Sequence, residues 1–177
     1  GTIDLRTGKL NPHRQSDLIT RIIDVDYLPN AECPLWFMTL ERVTNHDKDL
    51  EQYLARVFGY ALTGDVSEQC LFFFYGPTKT GKTTILSTIL SMLGDYSKET
   101  PMETFSTEGK RQGANDDLAR LAGSRMVKAA ESESRTRLAT GLVKRVTGEK
   151  KISGRFLYHE RIEFSSRFKL LRIYSGM

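Results

Sequence analysis

Residues 71–84 read LFFFYGPTKTGKTT, and they carry the strongest structural signal of the sequence. Its first five residues are a continuous apolar and aromatic run, which is too short for a helix and does not alternate. Such a run is typical of a strand buried on both faces, as in a parallel sheet. The loop that follows leads into apolar residues at helical spacing, which end before Gly94. The sequence therefore predicts a buried strand, a glycine loop and a helix in direct succession.

The loop matches the pattern G-x-x-x-x-G-K-S/T, in the strand, loop and helix context that phosphate binding requires. Glycines let the backbone wrap closely around phosphate groups, and N–H groups of the loop and helix supply positive potential. Lys82 is predicted to neutralise the β- and γ-phosphates of ATP, and the Thr83 hydroxyl to bind Mg²⁺. The predicted nucleotide-binding residues are Gly76, Pro77, Thr78, Lys79, Thr80, Gly81, Lys82, Thr83 and Thr84.

Such a loop also needs a carboxylate, at the end of a neighbouring strand, to hold Mg²⁺ and polarise water. Residues 126–131, MVKAAE, form a weakly apolar strand pattern that ends in Glu131, with Glu133 two residues on. Glu131 is the predicted metal-binding carboxylate, and Lys82, Glu131 and Glu133 are the predicted catalytic residues. Asp116 and Asp117 compete with Glu131, but their position favours capping of the helix that follows them.

Helical and strand patterns alternate along the chain, which predicts an α/β fold with a mainly parallel sheet. Residues 1–48 are predicted to be an irregular lead-in with a hairpin, and residues 49–66 a helical segment. Residues 67–177 are predicted to form the P-loop core, in which the polar residues 95–115 make a mobile excursion.

The charges of the 177 residues are unevenly distributed, although the net charge is only +4. Residues 1–119 hold 12 basic and 17 acidic residues, a net −5, whereas residues 120–177 hold 14 and 5, a net +9. A basic end beside an acidic front fits a surface that faces a polyanion, although solvated charge also explains such an imbalance.

The sequence predicts an intracellular protein without a membrane span. The longest apolar run, residues 71–75, is far shorter than the roughly 20 residues that cross a bilayer. Cys33 and Cys70 have no metal-ligand spacing and are predicted to be reduced thiols.

Several segments of the chain, taken in order, resemble the superfamily 3 helicases of the phage and plasmid primase-helicase type. No single segment is decisive, but the ordered set is specific and extends to Leu171. The resemblance is carried by the P-loop and by DLRTG (4–8), AECP (31–34), GYALTG (59–64), LGDY (93–96), LAGSRMV (121–127), VKRVTGE (143–149) and RFLY (155–158).

The resemblance implies an AAA+-like ATPase that moves on single-stranded DNA during phage or plasmid replication, in the cytoplasm of a bacterial host cell. It also implies a homo-oligomeric ring, such as a hexamer, and an upstream primase domain that residues 1–177 lack. Glu131 would then match the Walker B acid of the family. Residues 144–155 would match a hairpin that presents basic residues to DNA, which makes Lys150, Lys151 and Arg155 the predicted DNA-binding residues.

The chain departs from the family pattern after Leu171, where the family continues to an Asn that orients the attacking water. Residues 172–177 read RIYSGM instead, so we expect the core to be incomplete at its C-terminus. Positioning and charge stabilisation carry most of phosphoryl transfer, so nucleotide binding is better supported than turnover. Three interpretations stay open: the ATPase motor of a DNA helicase, a nucleotide-binding remnant without hydrolysis, and a P-loop kinase.

Overall fold

A computed structural model describes residues 1–107, 113–130, 137–148, 151–156 and 158–175. Its strands are β1 (Thr2–Asp4), β2 (Lys9–Asn11), β3 (Leu71–Gly76), β4 (Ser97–Pro101), β5 (Met126–Ala130), β6 (Lys151–Arg155), β7 (Arg161–Ser165) and β8 (Lys169–Ser175). Its α-helices are α1 (Pro34–Val43), α2 (Lys48–Thr63), α3 (Lys82–Leu93), α4 (Gly113–Arg120) and α5 (Thr140–Thr147).

The central sheet has four parallel strands in the order β3-β8-β5-β4. Leu170 of β8 pairs with Leu71 of β3 on one side and with Val127 of β5 on the other. All four strands run in the same direction, so their carboxyl ends lie at one edge of the sheet. The predicted α/β fold with a parallel sheet is confirmed, as is the N-terminal hairpin, which consists of β1 and β2.

Helices α2 and α3 pack against one face of the sheet. Helix α2 begins where Asp47 accepts a hydrogen bond from Leu50 N at 3.0 Å, and it ends at Gly64, whose φ is 67°. Helix α3 buries the residues that its spacing predicted, and they pack with Met126 and Leu171 of the sheet. Those residues are Ile85, Leu86, Ile89, Leu90 and Leu93.

The second face of the sheet is covered along β5 and at the amino end of β8 by α4, α5 and an antiparallel hairpin of β6 and β7. Phe105, Phe168 and Val146 are buried there with Val127 and Leu170 of the sheet. The cover does not extend to the carboxyl end of β3.

The prediction that β3 is buried on both faces is therefore wrong. Phe73 and Tyr75 are 54% and 70% exposed, because β3 is an edge strand and no described helix covers them. Tyr75 stacks on Tyr174 of β8, with 5.7 Å between the ring centroids.

Two segments that were predicted to be irregular are ordered. Helix α1 lies within the lead-in, with Pro34 in its first turn. Its Trp36 ring packs near that of Phe58 in α2, with 6.4 Å between the ring centroids. Within the predicted excursion, residues 97–105 form β4 and a 3-10 turn that buries Met102 and Phe105, whereas residues 108–112 lie outside the described residues.

A buried lysine lies at the amino edge of the sheet. Lys169 is only 2% exposed, its ammonium donates to the carbonyl of Asp65, and it lies 3.9 Å from the centre of the Tyr60 ring. Burial lowers the pKa of Lys169 to about 8; Asp65 and Cys70 oppose this shift and Arg125 adds to it.

This burial predicts that stability rises with pH. Between pH 8 and about 10.5 the unfolded chain keeps a proton on Lys169 that the folded chain has released. We expect the free energy of unfolding to increase across that window by up to about 3 kcal/mol. Urea unfolding at a series of pH values measures it, with Lys169→Met as the control that should flatten the increase. An equal increase in both proteins would contradict the role of Lys169.

Candidate functional site

The predicted phosphate loop joins the carboxyl end of β3 to the first residue of α3. Lys79 and Gly81 have φ values of 59° and 92°, so the chain reverses within a few residues. A Cβ at position 81 would lie 2.6 Å from Cγ2 of Val43, at the end of α1. Position 81 therefore requires glycine for its conformation and for the close approach of α1.

Lys82 is buried under the loop, and its ammonium is held by the loop itself. Its Nζ donates to the carbonyl oxygens of Gly76 at 2.8 Å and Pro77 at 2.5 Å, and to Oγ1 of Thr80 at 3.2 Å. An ammonium has three N–H donors, so these contacts use all of them. An anionic oxygen that contacts Lys82 must replace one of them.

The side of the loop opposite the sheet is open. Residues 79–84 line a shallow pocket there, and Thr83 and Thr84 are exposed. The first turn of α3 contains no acidic residue, so nothing within it neutralises the positive potential of the helix N-terminus. The loop thus offers backbone N–H groups, hydroxyl groups and the ammonium groups of Lys79 and Lys82 to a bound anion.

The predicted carboxylates are not part of this described geometry. Strand β5 ends at Ala130, and Glu131 and Glu133 lie outside the described residues. The strand that leads to Glu131 lies in the same parallel sheet as β3, with β8 between them. Among the residues whose structure is described, no cluster of His, Cys, Asp and Glu could hold a metal ion.

Asp116 and Asp117 are not helix caps, contrary to the prediction. Both lie within α4, which begins at Gly113. Asp116 forms an ion pair with Arg120 at 3.0 Å, and Asp117 accepts a hydrogen bond from Thr104 at 3.3 Å.

The β6–β7 hairpin has an apolar inner face and a charged outer face. Ile152 and Gly154 point inwards, and a Cβ at Gly154 would lie 2.8 Å from the backbone N and Cα of Ala119 in α4. Lys151 and Arg155 are exposed, as predicted for residues that bind DNA, and the Lys151 ammonium is 3.9 Å from Glu163. Lys150 lies outside the described residues.

The structure keeps the loop and the hairpin apart. The pocket at the loop is lined by residues 79–84, whereas Phe156, next to β6, borders a cavity with Thr100 of β4 and Asp117 of α4. The sequence analysis missed Val43 and Arg161. Arg161 could have been found, because it follows Arg155 at the spacing of a short hairpin and pairs with it across the strands.

Comparisons with known proteins add family information. Residues 1–45 match the family described as D5 N terminal like. A protein of Acanthamoeba polyphaga mimivirus, named "Putative helicase L207/L206", is 26% identical over 175 residues, which are 96% of this chain and 18% of that protein. This chain therefore spans about a fifth of the length of that relative.

The fold resembles solved structures of the NrS-1 C-terminal region. One apo form has a TM-score of 0.59 at 12% identity, over 84% of this chain and 34% of that one. Another apo structure of the same region has a TM-score of 0.58 at 10% identity, over 83% and 35%. Within the described part of this chain, no helix is both long and apolar enough to cross a membrane.

The close contact between Val43 and Gly81 predicts that the effects of substitutions at these two positions on stability are coupled. We expect Gly81→Ala to lower the free energy of unfolding by about 1–3 kcal/mol, because the alanine has an unfavourable φ and its Cβ clashes with Val43. The double variant with Val43→Ala should lose less than the sum of the two single losses. Urea unfolding of all three variants measures this coupling.

Gly59→Ala is the matched control, because no atom lies within 4 Å of a Cβ at that position in α2. It should stabilise the chain by up to about 1 kcal/mol. Losses that simply add in the double variant would disprove the contact between α1 and the loop.

Proposed function

We propose that this chain is the ATP-binding core of a DNA helicase, which couples ATP hydrolysis to movement on single-stranded DNA. The observation that carries the proposal is the loop at residues 76–83, which joins a parallel strand to a helix and encloses the ammonium of Lys82. Phosphate-binding loops of nucleotide hydrolases have this arrangement. The similarity to a viral protein named as a helicase, and to the D5 N terminal like family, supports the choice of helicase.

The residues of the loop fit a nucleotide with Mg²⁺. Phosphate oxygens would be held by backbone N–H groups of residues 79–83 and by Lys82, whose ammonium would exchange one contact within the loop for a phosphate oxygen. The exposed hydroxyl of Thr83 would bind Mg²⁺, which shields the negative charge of the phosphates. Glu131, which directly follows β5 in sequence, is the proposed second metal ligand, with Glu133 as a further catalytic candidate.

The oligomeric assembly of the whole protein is part of the same proposal. A superfamily 3 type of ring, with a primase domain elsewhere in the protein, is consistent with relatives that are much longer than this chain. The proposal for the chain itself depends only on nucleotide binding and DNA binding, which can be measured separately.

Replacing Lys82 tests the nucleotide site. We expect Lys82→Ala to weaken ATP binding in the presence of Mg²⁺ about 10- to 100-fold, because charge-assisted hydrogen bonds to phosphate are lost. Calorimetry measures the affinity, and phosphate release in the presence of single-stranded DNA measures turnover.

Lys9→Ala is the matched control, because it removes the same charge from an exposed side chain of the β1–β2 hairpin, outside the loop. It should retain most of the affinity. Equal losses in both variants would contradict the role of Lys82. Binding without phosphate release would support the non-hydrolysing interpretation, and release that depends on a small-molecule acceptor would support a kinase.

The exposed face of the β6–β7 hairpin is the proposed DNA contact. Ile152 and Gly154 pack the hairpin against α4. The basic side chains therefore project from a fixed support. Contacts from such side chains to phosphates release counterions and do not depend on base sequence.

The double variant Lys151→Ala, Arg155→Ala tests this contact. We expect its affinity for an oligo(dT) strand to fall at least about tenfold at low salt, because two phosphate contacts are lost. The slope of log K against log salt concentration should become shallower by about 1.4. Fluorescence anisotropy measures both, and ATP binding should not change.

Arg6→Ala, Lys9→Ala is the matched control, since it removes two exposed basic side chains at the β1–β2 hairpin. It should leave the affinity and the slope near those of the unmodified chain. A similar loss in both double variants would mean that net charge, not the β6–β7 hairpin, determines DNA binding.

A further inference from the structure

The tip of the β6–β7 hairpin places two like charges opposite each other. Arg155 and Arg161 are the last pair in the antiparallel register, and both are exposed. Like charges directly opposite in a hairpin are destabilising. In the part of the chain that the structure describes, neither guanidinium forms an ion pair. Nε of Arg155 donates to the carbonyl of His159, at 3.1 Å. The pair costs stability unless an anion lies against it.

An exposed aromatic ring stands beside this pair. The hairpin turn is closed by a hydrogen bond from His159 N to the carbonyl of Phe156 at 3.1 Å, and the two rings meet edge to face at 6.3 Å. Tyr158, the third residue of that turn, is 92% exposed. The hydrogen bond and the ring contact therefore stabilise the turn, and the Tyr158 ring is exposed to solvent.

The backbone at Tyr158 is strained for a tyrosine. Its φ is 62°, a value that glycine and asparagine adopt easily and that is an outlier for a bulky side chain. Because so little of the ring is buried, packing within the described hairpin does not explain why tyrosine stands there. Strain of this kind is found at ligand-binding positions.

We propose that Tyr158 stacks on an unpaired base of single-stranded DNA, while a neighbouring phosphate lies between Arg155 and Arg161. The phosphate would relieve the repulsion between the two guanidinium groups, and the exposed ring would bury one face against the base. Stacking of this kind tolerates any base sequence, as a protein that moves along DNA requires. The inference rests on the proposed function and adds two residues, Tyr158 and Arg161, that the sequence analysis did not select.

The experiment compares two strands of equal length, oligo(dT) and the same sugar-phosphate backbone with abasic sites throughout. The unmodified chain should bind oligo(dT) about tenfold more tightly than the abasic strand, since stacking contributes to one and not to the other. Tyr158→Asn should lose this preference, and Tyr158→Phe, which keeps the ring, should retain it. Both variants should bind the abasic strand as the unmodified chain does.

Tyr158→Asn also separates stacking from folding. Asparagine is favoured at a left-handed position, so this variant should unfold at the same or a higher urea concentration than the unmodified chain. Arg161→Ala should weaken binding to both strands by a similar factor, because it removes a phosphate contact. A control change in the other hairpin, Lys9→Ala, should alter neither.

The outcomes distinguish this inference from the proposed function. Equal binding of the two strands by the unmodified chain, or a preference that survives in Tyr158→Asn, would overturn the stacking role and leave DNA binding intact. Failure of the unmodified chain to bind either strand would overturn both the stacking role and movement on DNA as the function.

Discussion

Strand β8 pairs with β3 on one side and with β5 on the other, and this double pairing holds the central sheet together. Leu170 pairs with Leu71 and Val127, so the sheet is completed only by the last strand of the described chain. The residues between β5 and β8 leave the sheet, and the chain then returns so that β8 lies between β3 and β5. Helix α5 and the β6–β7 hairpin are formed by that excursion, and they pack on the second face of the sheet.

Local patterns were sufficient to predict most elements of this fold and the whole of the loop. The helical period of α3 and the glycine spacing at 76–81 each depend on neighbours within one or two turns. The errors have a different origin. Strand β4 was missed because its side chains are polar and its order comes from pairing with β5, which no local pattern encodes.

The exposed aromatic residues of β3 show the same limit. Phe73 and Tyr75 were predicted to be buried because apolar runs usually are. Their burial depends, however, on which strand lies at the edge of the sheet and on how far the helices extend over it. At the site, Lys82 was predicted from its motif, whereas Val43 and Arg161 were not. Both act through contacts with residues distant in sequence or across a strand pair, so only the folded chain reveals them.

Among the described residues, a series of intervening elements joins the loop to the hairpin. In the described residues, helix α3 leads through a 3-10 turn into β4, whose Thr100 hydroxyl is 2.9 Å from that of Thr104. Thr104 donates to Asp117 of α4, and α4 supports the hairpin at Gly154, where even a methyl group would not fit. Every step in this series is a hydrogen bond, a close contact or a covalent connection, and close-packed protein interiors transmit strain. A shift of α3 relative to the sheet therefore has a short, continuous route to the place where α4 supports the hairpin.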